Sequence, residues 1–242
     1  MGRSLLILPL LAGGLLAQPV VFEGGVRNAA SYTPAGHINS GLARGSLIVL
    51  FGRNLGPATL VQGTYPLPFE LGGTSVRIGG VDAPVVYASA SQVAAILPSN
   101  VALGVAPLTV RAGGQTSPPV NVDVVQRNFG IFTASQTGAG PAILQNFDSQ
   151  TSQPLNTILQ PARPGQVVTL WGTGLGPVTG PENEVPRPVE LDMPILVRVG
   201  FRNARVLYKG RSGCCAGVDQ IVFEVPAGIE GCYVPVVVVA GE

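Results

Sequence analysis

Apolar residues in this chain come in short runs of Val, Leu, Ile and Ala, each closed by glycine, proline or asparagine. No run sustains a 3.6-residue spacing, so the pattern predicts strands rather than helices. After a short strand at Val20–Phe22 and a Gly/Asn/Ser/Pro-rich lead-in, strands are expected at Leu47–Phe51, Ser75–Ile78, Ala83–Ala88, Gln92–Leu97, Leu108–Ala112 and Val120–Val125. Gly72-Gly73, Gly79-Gly80 and Gly113-Gly114 mark turns between them. A second series follows at Val167–Trp171, Ile195–Val199, Ala204–Tyr208, Asp219–Val225 and Tyr233–Val239. Strands at this spacing predict an all-β sandwich.

The second series repeats the first. GSLIVLFGRNLGP at 45–57 returns as GQVVTLWGTGLGP at 165–177. Val76-Arg77-Ile78-Gly79 returns as Val197-Arg198-Val199-Gly200, and Ser91-Gln92-Val93 as Asp219-Gln220-Ile221. A duplicated structural unit is the implication. It divides the chain into a sandwich at 18–126 and a second at 127–242, with a small hairpin around Ala142–Gln145 opening the second. Gly52 and Gly172 are read as sharp ends of buried strands, where a side chain would collide. Asn54 and Gly174 suit a left-handed backbone, which lets Leu55 and Leu175 turn back as core plugs. Phe51 and Trp171 are expected in the core, Tyr87 and Tyr208 as hydrogen-bonded core edges, and Arg77 and Arg198 as outward residues.

One element lacks a second copy. The first series runs through Gly113-Gly114 into Ser117–Val125, whereas the sequence reaches Glu242 where that strand is due. An unpaired sheet edge results, with three accounts: a truncated sequence, cover from within by Phe129–Gln145, or strand addition by a partner.

Composition narrows the function. Of 242 residues, 33 are Gly and 22 Pro, charged residues are 11%, and the net charge is +1. That balance offers no footprint for nucleic acid. Met1-Gly2-Arg3, the apolar run Leu5 to Leu16, and Ala17 before Gln18 read as a secretory signal peptide, residues 1–17. The run is short of the roughly 20 apolar residues of a spanning helix, so no membrane span is expected after its removal. A secreted, extracellular or cell-surface location follows, the periplasm included.

Export makes oxidation of Cys214, Cys215 and Cys232 an expectation. One bridge from the 214–215 pair to Cys232 is the first pairing. If Asp219–Val225 and Cys232–Val239 form a hairpin, however, Cys215 and Cys232 stand about 20 Å apart at roughly 3.3 Å per residue, beyond the roughly 7 Å limit. A strained vicinal Cys214–Cys215 bond, with Cys232 buried and free, is the alternative, and three reduced thiols are the third reading. These thiols with His37 do not complete a tetrahedral zinc set. No metal and no cofactor is expected.

The motif [FW]-G-x-[NG]-L-G-P, followed by V-x-[IV]-G, a strand ending in Tyr, and [SD]-Q-[VI] to Pro, resembles the TIG (IPT) branch of immunoglobulin-like domains. In tandem it is similar to the C-terminal domain of secreted acidobacterial (Solibacter-type) proteins, over about residues 24–242. The resemblance implies two tandem immunoglobulin-like β-sandwiches forming an extracellular, non-catalytic module, and it transfers no site residues. The three cysteines and the absent last strand depart from it.

Candidate chemistry is sparse. His37, the only histidine, sits in the lead-in with no G-x-S-x-G elbow in the chain. Glu182, Glu184, Glu190 and Asp192 lie in a Pro-rich loop and read as a solvated acidic stretch rather than a glycosidase pair. Tyr65 and Phe69, flanking Pro66 and Pro68, are the candidate ligand contacts. The expected function is structural or interactive, toward a protein or a surface polysaccharide, with a carbohydrate-binding module as the alternative and a hydrolase behind both.

Overall fold

In each repeat, the duplicated motif forms a central strand and the turn that leaves it. The computed structural model describes residues 17–241 and contains strands, turns and irregular segments without a helix. The expected signal peptide lies outside the described residues except for Ala17.

The first half builds two sheets. One runs Val20–Asn28, Leu47–Arg53, Gln92–Ile96, Val85–Ala88, Val61–Gln62, with every neighbouring pair antiparallel. The other runs Leu42–Ala43, Val120–Val125, Gly104–Ala112, Thr74–Ile78, Glu70–Leu71. Alternate side chains from both sheets meet in one cluster that includes Ile48, Leu50, Val76, Ile78, Leu108 and Val110, all without exposure. Burying each such side chain contributes about 1.5–3 kcal/mol, and this cluster holds the first half together.

The second half repeats the first sheet strand for strand. Gly130–Ile131 and Leu144–Asn146 both pair with Val167–Thr173, which is followed by Asp219–Glu224, Arg205–Arg211 and Val189–Glu190. Even an irregularity recurs: the register slips between Val85 and Tyr87 in one half and between Val206 and Tyr208 in the other. A bulge at the same place in both copies is a built feature of the pairing. The opposing sheet has only Arg202–Asn203, Ile195–Val199 and Val236–Ala240. Val168, Leu170, Leu175, Val197, Ile221 and Phe223 form the second core. The fold is therefore all-β, in several sheets packed face to face, as a β-sandwich requires.

The motif behaves as its residue types require. Asn54 and Gly174 have φ of 55° and 106°. A Cβ on Gly52 would come 2.2 Å from the Val20 carbonyl oxygen, and one on Gly172 would come 2.3 Å from that of Gly130. Leu55 and Leu175 are fully buried.

Several expectations need correction. Phe51 and Trp171 are half-buried, not core. They sit one position beyond the inward-facing Leu50 and Leu170, so the pleat turns them to the other face. Ala83–Ala88 splits at Pro84 into strands of different sheets, since proline cannot donate to a ladder. Asp219–Glu224 and Val236–Ala240 are not a hairpin: they belong to opposite sheets, like Gln92–Ile96 and Gly104–Ala112. Finally, Gly130–Ile131 and Leu144–Asn146 cover Val167–Thr173, not the edge of Val236–Ala240. Cover from within is thus excluded for that edge.

Candidate functional site at the junction of the repeats

Polar residues that the sequence pattern did not single out join the two halves. The Leu47 amide donates to Thr173 Oγ1 at 2.8 Å, and Thr173 Oγ1 donates to the Gly217 carbonyl at 2.5 Å. Asn28, 3% exposed, accepts from the Ala30 and Ser31 amides, and its Nδ2 donates to the Asn128 and Thr173 carbonyls. A buried polar side chain is tolerated only when its bonds are made, and here both ends are occupied.

The most buried charges lie beside this seam. Arg211 Nη1 meets Asp219 Oδ1 at 2.6 Å, with side-chain exposures of 7% and 0%. Asp219 Oδ2 also accepts from the Gly174 and Leu175 amides at 2.7 and 2.8 Å. Arg211 Nη2 donates to the Gly176 carbonyl at 3.0 Å. Burial pushes the Asp219 carboxyl up to about 6, against the pull of Arg211 and the two amides. The pair thus clamps the turn of the second motif. In the first half the Leu55 amide donates to the Ala90 carbonyl instead, and Ser91 stands where the repeat has Asp219.

Of the acidic loop residues, only Glu182 is drawn inward. Its two carboxylate oxygens accept from the Ser99 amide and hydroxyl, each at 2.8 Å. Glu184, Glu190 and Asp192 are exposed, and Glu190 pairs with Lys209 at 3.3 Å. Beside Glu182 lies an open cleft of about 300 Å³, lined by Gly45, Glu184, Val185, Arg187 and Arg211 among others. Of the charged residues that line it, Glu182 and Arg211 are bonded within the protein, and Glu184 and Arg187 are exposed at its rim. His37 is exposed in its loop. Among the described residues no cluster of His, Cys, Asp and Glu has the arrangement to hold a metal.

The Tyr65–Phe69 loop docks across the seam. The Ala216 amide donates to the Tyr65 hydroxyl at 2.8 Å, and the Leu67 amide donates to the Asn183 carbonyl at 2.6 Å. Leu67 packs with Ile96 and Ala216 in a small apolar cluster spanning both halves. Tyr65 and Phe69 keep 39% and 47% of their surface exposed, which leaves part of each ring open to a ligand. Partial burial raises the Tyr65 hydroxyl's pKa.

All three cysteines are free and exposed. Neither of the two expected bridges is formed, and Cys232 is not buried as the vicinal alternative required. Partial burial, then the neighbouring Cys214, pushes the Cys215 thiol up to about 12. A thiol held protonated is a poor nucleophile and a poor metal ligand.

Tyr87 and Tyr208 are hydrogen-bonded as expected. Gln92 Nε2 donates to the Tyr87 hydroxyl at 2.6 Å, and the Tyr208 hydroxyl donates to the Arg211 carbonyl at 2.7 Å. Burial pushes the Tyr87 hydroxyl to about 12. Arg77 and Arg198 point outward, toward Asp82 and Asn203.

No family model matches the chain, and no curated protein does. Among solved structures, one is a crystal structure with a xylogluco-oligosaccharide, at 14% identity and a TM-score of 0.29. The match covers 93% of this chain but 41% of that one. Domains 5–6 of the S-layer protein SbsC match at 13% identity and a TM-score of 0.23, covering 92% of this chain and 98% of that one. Likeness at this level carries no functional inference.

Proposed function

We propose that this chain is a pair of tandem immunoglobulin-like sandwiches of the TIG/IPT type, divided near residues 126–127. It acts as a secreted, non-catalytic module making contacts with proteins or a cell surface. The observation that carries this reading is the contrast between buried charge and exposed apolar side chains. The buried ion pair and Glu182 are engaged within the protein, so the most buried charged groups at the cleft serve the fold. Bulky apolar residues instead stand at turn tips: Ile158 and Leu159 are 69% and 87% exposed, and Phe201 is fully exposed. Exposed apolar tips favour association over chemistry. No helix among the described residues is long and apolar enough to cross a membrane.

The carbohydrate reading rests on the open rings of Tyr65 and Phe69. Co-sedimentation of the protein with cell envelopes and with insoluble polysaccharides separates the two. The proposed reading expects envelope binding that Ile158→Ser/Leu159→Ser abolishes and Phe69→Ala leaves intact. Loss of binding with Phe69→Ala, or competition by soluble oligosaccharides, transfers the function to sugar recognition. No binding to any of these materials overturns both.

A further inference from the structure

The segment that leads into each motif strand carries a further trace of the duplication. Pro34, Ile38 and Gly45 return as Pro154, Ile158 and Gly165, at the spacing that relates 45–57 to 165–177. Between that proline and that glycine, isoleucine is the one residue both copies share: PAGHINSGLARG stands against PLNTILQPARPG. Local structure agrees. The Ser40 amide donates to the His37 carbonyl at 3.1 Å, and the Gln160 amide donates to the Thr157 carbonyl at 3.1 Å. Each isoleucine is therefore the second residue of an equivalent four-residue turn.

Both side chains face water. Ile38 is 91% exposed and Ile158 69%, and neither packs into a core of the described residues. The turns do not call for them, because turn positions favour Gly, Pro, Asn, Asp and Ser. One exposed isoleucine on a surface needs no explanation. The same one at the same tip of both copies is different, since its neighbours His37, Asn39 and Ser40 have become Thr157, Leu159 and Gln160. It serves neither core nor turn, so its use lies outside the chain.

We infer that Ile38 and Ile158 are two equivalent pegs for a protein partner that presents the same uncharged apolar socket twice, as a homo-oligomer or a lattice does. Charge decides the chemistry of that partner. Residues 29–41 and 149–162 contain no Asp, Glu, Lys or Arg, so neither tip offers an ion pair to its socket. An anionic bilayer holds apolar side chains with the help of basic neighbours, and these segments have none. A protein pocket needs only the branched aliphatic side chain that both copies share. Two such contacts, each weak, combine through the effective concentration that one chain imposes. This names the kind of partner within the interaction reading and rests on that reading.

The test is quantitative co-sedimentation of the whole protein with cell envelopes, with envelopes stripped beforehand by protease, and with vesicles of the extracted envelope lipids. Ile38→Ser, Ile158→Ser and the double variant are compared with the unaltered protein. The two pegs expect each single substitution to weaken envelope binding by about tenfold or more, and the double variant and protease stripping to abolish it. Ile38→Ser without effect overturns the inference; if Ile158→Ser/Leu159→Ser still abolishes binding, the envelope reading stands alone. Binding to the protein-free vesicles, or binding that survives in the double variant, also overturns the inference. No envelope binding by the unaltered protein overturns both.

Discussion

The two halves share a strand order, a bulge and a turn motif, yet they differ in how each is finished. The first closes its second sheet with Val120–Val125 and buries Leu108, Val110 and Val124 beneath it. The second has no described strand there, and its edge valines stay half-open. In place of a backbone bond at the motif turn, it carries a buried ion pair. A duplicated sequence thus specifies a duplicated framework, while burial of the same apolar pattern depends on whether a neighbouring strand is present. Surface removed from water, not the pattern itself, supplies the stability.

Four measurements sharpen that contrast, taken from the largest expected effect down. Asp219→Ala strands a buried guanidinium and two amides, so denaturant unfolding should show a loss of about 3–5 kcal/mol. Ser91→Ala, at the matching position of the first half, should cost far less; equal costs would dissolve the distinction between the turns. Leu55→Ala and Leu175→Ala each empty a fully buried position and should cost about 2–5 kcal/mol. Two resolved unfolding transitions, each moved by only one of these variants, would establish that the halves unfold separately. A single transition moved by both would establish that the polar seam couples them.

Acid titration addresses the ion pair from another side. Asp219 has its folded pKa raised from 3.8 to about 6, so the folded form binds its proton more tightly than the unfolded form. Its contribution to stability is fully present below about pH 4 and is lost as pH rises through about 6. Stability should therefore rise on acidification across that window, and Asp219→Ala should flatten the rise. A flat profile in the unaltered protein would mean that Arg211 and the two amides fully offset the burial. The smallest effect is chemical. Three exposed free cysteines predict three alkylated thiols without prior reduction, with Cys215 the slowest because its thiol is held protonated. A count of one, with a mass lower by two hydrogens, would instead report a disulfide, as expected for an exported chain.

The framework was legible because it rests on local rules. Gly52, Asn54, Leu55 and their counterparts announce a turn whose geometry depends on a few adjacent residues, and strand alternation places Ile48 and Leu50 inward without knowledge of the partner sheet. The seam was not legible. Asn28, Ser99, Thr173 and Arg211 have ordinary sequence surroundings, and only contacts across distant segments give them roles. Asp219 alone left a trace, as a charge entering an apolar strand where the other copy has serine. Tyr65 was singled out for its exposed ring, but its hydroxyl accepts the Ala216 amide from the other half.

The chain by itself therefore determined an all-β framework, its duplication and its turn chemistry, because period, glycine placement and self-similarity act over short range. Only the tertiary structure decided which polar groups join the halves, that Gly130–Ile131 and Leu144–Asn146 serve the other sheet, and that Cys232–Pro235 lose strand form. Those outcomes depend on which segments lie side by side, and a backbone donor or a half-buried valine acquires its energy only from the neighbour it meets.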